Sequence, residues 1–202
     1  MIAIVDYGVG NLFSLRSSLA HLGLDAVVTA DPAVLRAADR IILPGVGAFG
    51  DAMAKLSATG LVPVIREEAR KKTLLGICLG MQLLFEKSDE YGEHAGLGFV
   101  PGEVCPLEPD LKDPSLKVPQ IGWNALHIVR DDPLFRYIRE GEYVYYVHSY
   151  YGRHCEASTL AVSDYSIPVT GVVRAGRVYG TQFHPEKSGD TGLRILKAFS
   201  EL

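Results

Sequence analysis

Cysteine is scarce in this chain of 202 residues: there are three, an odd number. That excludes a disulfide framework, and their spread along the sequence points to a reducing compartment. No basic run offsets the formal net charge of −4, which argues against a nucleic-acid-binding surface. Long apolar runs are also missing. The longest, Leu74 to Phe85, falls short of the roughly 20 residues that a membrane span needs. The first residues, Met1-Ile2-Ala3-Ile4-Val5-Asp6, carry no basic segment and read as a strand, so no signal peptide is expected. Nor is there a repeat, a low-complexity tract or a linker. What remains, 48% hydrophobic and 22% charged, is an ordinary globular composition. The expectation is one soluble, cytoplasmic domain over residues 1–202.

The first half alternates strand and helix. Strands are predicted at Ile2–Val5, Ala26–Thr29, Arg40–Leu43 and before Cys78. Leu12, Leu15, Leu19 and Leu22 recur at helical spacing, with Gly23 placed to stop that helix. Further helices are expected over Asp51–Ser57, Val62–Lys71 and Leu79–Glu86. Such alternation predicts an α/β fold, a mostly parallel central sheet with helices on both faces. Beyond Gly92 the pattern changes. Extended segments are expected at Phe99–Leu107, Trp123–Val129, Tyr143–His148, Thr159–Ser163, Val169–Arg174 and Arg177–Phe183, with a hairpin turn at Arg174-Ala175-Gly176-Arg177. A last helix covers Gly192–Phe199. The second half therefore adds antiparallel strands to the parallel core.

The chemistry concentrates at Gly76-Ile77-Cys78-Leu79-Gly80. A nucleophile between two glycines, after a β-type run and before a helical one, is the pattern of a nucleophile elbow. The turn is too tight for flanking side chains, and a helix N-terminus favours thiolate over thiol. A cysteine nucleophile needs a base, and the base needs an orienting group. His184-Pro185-Glu186 supplies both. Residues two apart in an extended segment share a side, and proline holds the preceding residue extended. His148 is the rival base, but no carboxylate lies two residues on. His21, His94, His127 and His154 lack context, and Cys105 and Cys155 have no elbow. No cluster has the spacing of metal ligands, so neither metal nor cofactor is expected.

Gly45-Val46-Gly47-Ala48-Phe49-Gly50 fits the G-x-G-x-x-G pattern of dinucleotide sites. It follows the third strand rather than the first, and the acidic Glu67 and Glu68 sit in a helical stretch instead of ending a second strand. A loop that offers N–H groups to an oxyanion suits it better.

Together these motifs resemble the class I, triad-type glutamine amidotransferases, which carry a Gly-x-Cys-x-Gly elbow and a His-x-Glu pair in that order. Asp6-Tyr7-Gly8-Val9-Gly10-Asn11, Leu43-Pro44-Gly45-Val46-Gly47-Ala48-Phe49, Val118-Pro119-Gln120-Ile121-Gly122-Trp123-Asn124 and Val147-His148-Ser149-Tyr150 narrow the resemblance. They look like the branch that forms the glutaminase subunits of imidazole glycerol phosphate synthases. The resemblance covers nearly the whole chain. It implies a catalytic triad of Cys78, His184 and Glu186, and an oxyanion hole from Gly45, Val46, Gly47 and Leu79. It also implies glutamine held by Gln82, Ser149 and Tyr150, and a (β/α)8-barrel cyclase partner in a heterodimer, met near Trp123, Asn124, Tyr145 and Lys187. Activity without that partner is expected to be low. The alternatives are the same glutaminase serving another synthase, of anthranilate or pyridoxal phosphate type, and a stand-alone cysteine amidohydrolase.

Overall fold

The computed structural model describes Met1–Leu202. In the first half, β1 (Ile2–Val5), α1 (Leu12–His21), β2 (Ala26–Thr29), α2 (Pro32–Ala37), β3 (Arg40–Leu43), α3 (Phe49–Ala58), α4 (Leu61–Glu68) and β4 (Thr73–Ile77) follow one another. Next come α5 (Leu79–Gln82), β5 (Phe85–Ser88), β6 (His94–Ala95), β7 (Val100–Pro106), β8 (Gln120–Ala125) and β9 (His127–Ile128). Then follow β10 (Tyr143–His148), β11 (Tyr150–Arg153), β12 (Thr159–Asp164), β13 (Pro168–Ala175), β14 (Val178–Thr181) and α6 (Gly189–Ser200).

Eight strands form the main sheet in the order β2-β1-β3-β4-β14-β13-β12-β9. The pairs from β2 through β14 are parallel and the remainder antiparallel, as the change of pattern in the sequence predicts. The central strands are buried on both sides. Along β1, Ala3 and Val5 pack toward α2, α3 and α4, while Ile2 and Ile4 pack toward α1 and α6. Each fully buried leucine in these layers, such as Leu19 or Leu35, contributes about 1.5–3 kcal/mol. The two-residue turn Gly176-Arg177 closes β13 onto β14, with Ala175 opposite Val178 and Gly176 at φ 60°.

Two small sheets lie beside the main one. In the first, β8 and β10 form an antiparallel ribbon; the second has the order β11-β7-β5-β6. These account for two departures from expectation. The helix after Cys78 ends at Gln82, not Glu86, because the carbonyls of Leu83 and Leu84 accept N–H groups from Leu97, Phe99 and Val100. The chain then runs out as β5, with Phe85 buried against the bare backbone of Gly152. The segment expected as one strand over Trp123–Val129 divides at Leu126. Leu126 pairs with Gly141 and Glu142 to close the ribbon, and β9 crosses to the main sheet. Helix α2 and strand β11 were not anticipated at all.

Candidate active site

Parallel β4 and β14 are neighbours, so their carboxyl ends carry Cys78 and the Thr181–His184 segment to the same edge of the sheet. The Cys78 N–H donates to the Thr181 carbonyl at 2.7 Å, which clamps the two ends together. Cys78 has φ 53° and ψ −112°, a left-handed conformation that costs a side chain of order 1–3 kcal/mol. The flanking glycines are needed for space. A Cβ on Gly80 would lie 1.8 Å from the Leu43 carbonyl oxygen, and one on Gly76 would lie 2.6 Å from the Gly80 oxygen. The elbow is therefore packed on both sides and holds its strained residue in place.

His184 Nδ1 lies 2.8 Å from Glu186 Oε1, and both side chains are almost fully buried. Burial opposes a charge on His184, but the hydrogen bonds and charges of Cys78 and Glu186 outweigh it and raise the imidazole to about 10. The segment is tied to β10 twice and braced once within itself. His184 N–H donates to the Tyr145 carbonyl, Tyr145 N–H donates to Ser188 Oγ, and the Ser188 hydroxyl donates to the His184 carbonyl. Lys187 lies on the rim.

A cleft of about 400 Å³ opens above Cys78, lined by Val46, Gly47, Leu79, Gln82, Glu90, Pro119, Val147, His148, Ser149, Tyr150, His184 and Lys187. Most of the residues singled out in the sequence thus meet in one place. Gln82 is buried, not solvent-facing, and its Nε2 donates to the Tyr150 carbonyl at 2.8 Å and to Gln182 Oε1 at 3.1 Å. The Ser149 carbonyl accepts the Leu107 N–H, so the main-chain oxygens of Ser149 and Tyr150 are engaged inside the protein. Gly45 rests on the elbow: a Cβ there would lie 2.7 Å from the Gly80 nitrogen. Glu67 and Glu68 pair with Lys71 and Lys72 in and just after α4, far from a ribose-binding role.

Sequence reasoning missed three side chains. Tyr7 donates to the Pro44 carbonyl at 2.7 Å and props the glycine loop. Gln182 Nε2 donates to the Cys78 sulfur at 3.8 Å. Glu90, the one acid lining the cleft, accepts the Phe49 N–H at 2.6 Å at the start of α3, and burial pushes its carboxyl up. None has a local sequence pattern. His148 is not placed as a base: its Nδ1 and Nε2 face the Tyr150 carbonyl and Gln120 Oε1, each at 2.9 Å. Away from the cleft, Asp89, Glu103 and Cys105 bring potential metal-ligand atoms within 4.8 Å of one another, but Lys87 and His154 engage Glu103.

On the ribbon, Ile121 and Trp123 of β8 and Tyr143 of β10 are exposed, and Trp123 meets Tyr145 edge to face at 5.8 Å. Asn124 points to the opposite face, where Nδ2 donates to the Asp164 carbonyl.

The family model of class-I glutamine amidotransferases matches residues 3–201. The chain belongs to the class-I glutamine amidotransferases. Among curated relatives, it is 49% identical to an imidazole glycerol phosphate synthase subunit HisH of Lacticaseibacillus casei, across 100% of this chain and 96% of that protein. It is 47% identical to the HisH of Wolinella succinogenes, across the full length of both. A solved glutamine amidotransferase superposes with a TM-score of 0.75 at 19% identity, covering 99% of this chain and 100% of that one. The structure of PurLQS from Thermotoga maritima superposes at 0.72 with 20% identity, covering 99% and 97%. At such identities the superpositions show the amidotransferase fold alone. No helix is long and apolar enough to cross a membrane.

Proposed function

We propose that this class-I glutamine amidotransferase is the glutaminase subunit of an imidazole glycerol phosphate synthase, releasing ammonia from glutamine for a cyclase subunit in histidine biosynthesis. The observation that carries the chemistry is Cys78, held at φ 53° on an elbow that opens into the cleft shared with His184. The full-length likeness to HisH proteins supports the choice of synthase.

The Cys78 thiolate attacks the glutamine carboxamide. The resulting oxyanion takes hydrogen bonds from Leu79 N–H, at the open start of α5, and from the Gly45-Val46-Gly47 loop. His184, oriented by Glu186, protonates the departing ammonia, which leaves a glutamyl thioester on Cys78. The same histidine then takes a proton from water, which attacks the thioester and frees glutamate and the thiolate. Gln82, Ser149 and Tyr150 form the substrate edge, and the Glu90 carboxylate complements the α-ammonium of an amino acid.

The exposed Ile121, Trp123 and Tyr143, with Tyr145 and Lys187 at the rim, form the docking face for a (β/α)8-barrel cyclase. Asn124 supports this face from behind. The Tyr145 carbonyl on this ribbon holds the His184 N–H and the Tyr145 N–H holds Ser188 Oγ, so docking reaches the His184 segment through two hydrogen bonds. Glutaminase rates for the chain alone, with the cyclase, and with cyclase plus its ligand test the assignment. The proposal expects weak activity alone and a large increase in the liganded complex. Full activity alone, with no change on adding the cyclase, favours a stand-alone amidohydrolase.

A further inference from the structure

The chain leaving β14 carries a glutamine that none of the glutaminase steps above employs. Gln182 follows Thr181, whose carbonyl holds the Cys78 N–H, and its own N–H donates to the Gly171 carbonyl at 2.9 Å. Its side chain is fully buried and does not line the cleft. It hydrogen-bonds two groups. Its Oε1 accepts from Gln82 Nε2 at 3.1 Å, and its Nε2 donates to the Cys78 sulfur at 3.8 Å.

Which end of each amide points where follows from the neighbours. The Tyr150 carbonyl can only accept, so Gln82 turns its NH₂ there, at 2.8 Å. The second hydrogen of that NH₂ reaches Gln182, which must answer with its oxygen. Gln182 therefore turns its own NH₂ to the Cys78 sulfur, and this nitrogen makes no other hydrogen bond. A buried amide nitrogen costs free energy unless an acceptor answers it, and an apolar side chain would fill the same space without that cost. A thiol sulfur is a weak acceptor. A thiolate is a charged one, and hydrogen bonds to charged groups are roughly twice as strong as neutral ones. The Val147 carbonyl, 3.9 Å from the same sulfur, can only accept and so favours the thiol. Gln182 is the neighbour that favours the charged form.

We infer that Gln182 is a further catalytic residue of the glutaminase reaction: from outside the cleft, its amide N–H is a fixed donor to the Cys78 thiolate. It acts twice. Before attack it holds the charge on the sulfur that forms the C–S bond. When water opens the thioester, the C–S bond breaks, its electron pair returns to sulfur, and the same N–H receives it. Between these steps the thioester sulfur is neutral and needs no donor. His184 gives its proton to ammonia and takes another from water, whereas the Gln182 proton is never given up. Gln182 thus serves the sulfur while His184 serves the leaving group and the water.

The test is the rate at which iodoacetamide alkylates Cys78 in the full chain, followed by peptide mass spectrometry across a pH series. The titratable groups around the sulfur are His184 backed by Glu186, Tyr7 from the loop after β1, and His148, Glu90 and Lys187 on the cleft wall. All of them stay in place when only Gln182 is changed. Gln182→Met removes the donor at similar length. Gln182→Glu keeps the acceptor that Gln82 needs but sets a carboxylate oxygen against the sulfur. In both, the pH of half-limiting rate should rise by at least about 0.5, which is about a threefold loss of reactive thiolate on the acid side of the profile. A merely structural role would change the limiting rate and leave that midpoint in place. The buried Cys105 and Cys155 in the same digest report that the fold is intact. A smaller rise in either variant, or a fall, overturns the inference. It rests on the glutaminase reading, yet the two fail separately: absence of glutamine turnover in the unsubstituted complex sinks that reading, and an unmoved midpoint, measured without glutamine, sinks this one.

Discussion

Replacing Gly45 by alanine isolates the part played by the glycine loop. The residue has no left-handed backbone requirement, so only space is at stake. The new Cβ would meet the Gly80 nitrogen at 2.7 Å, the Tyr7 hydroxyl at 2.9 Å and Leu79 Cβ at 3.0 Å. Ordinary contact begins near 3.4 Å, so the closest approach is short by about 0.7 Å. Gly80 cannot retreat, because its own α-carbon is hard against the Leu43 carbonyl. The loop must move instead, and it takes its N–H groups away from the oxyanion. Losing one such donor costs about 100- to 1,000-fold in kcat, or roughly 3–4 kcal/mol. Glutamate release by the complex should therefore fall at least about 100-fold in kcat, with KM changed far less. Alkylation of Cys78 should persist, because the thiol and His184 are untouched. A kcat within threefold of the unsubstituted enzyme would refute the placement of this loop in the oxyanion hole.

Other perturbations read other contacts. Glu186→Gln removes one of the groups that raise His184 toward about 10, so proton NMR should find the imidazole titrating closer to 6.5 and kcat should drop steeply. A folded-state value above the unfolded one means that charged His184 adds stability in full below about 6.5, and loses it as pH rises through about 10. Cys78→Ser weakens that contribution, so urea titrations should show its stability deficit shrinking over this window. Trp123→Ala empties the centre of the exposed face and should weaken cyclase binding about tenfold or more by calorimetry, leaving the basal activity of the free chain unchanged. Tyr7→Phe strands the buried Pro44 carbonyl and should cost about 1–3 kcal/mol in denaturant unfolding.

The features legible in the sequence were the local ones. The elbow needs glycine at both flanks for reasons confined to five residues, and His184-Pro185-Glu186 presets its own hydrogen bond. Strands β1, β2, β3 and β10 fall where apolar runs end at turn residues. Leu83-Leu84-Phe85 could not be read correctly, because a continuous apolar run suits a helix and a buried strand equally. Only the carbonyl partners supplied by Leu97 to Val100 decide between them. Helix α2 did carry a signal: Asp31 caps it, accepting the Ala33 N–H, and Pro32 stands at its first turn. Tyr7, Glu90, Gln120 and Gln182 reach the site through tertiary contacts with residues 28 to 104 positions away. No spacing rule could have assembled them.

The central claim is that Cys78 is the nucleophile that takes ammonia from glutamine. Burial raises Cys105 and Cys155 and keeps them as thiols, so they provide an internal control. The most direct measurement is peptide mass spectrometry after treatment with an electrophilic glutamine analogue. The account predicts one adduct, on Cys78, with glutaminase activity lost in step with labelling and absent from Cys78→Ala. An adduct on Cys105 or Cys155 with Cys78 unmodified, or undiminished turnover in Cys78→Ala, would contradict it.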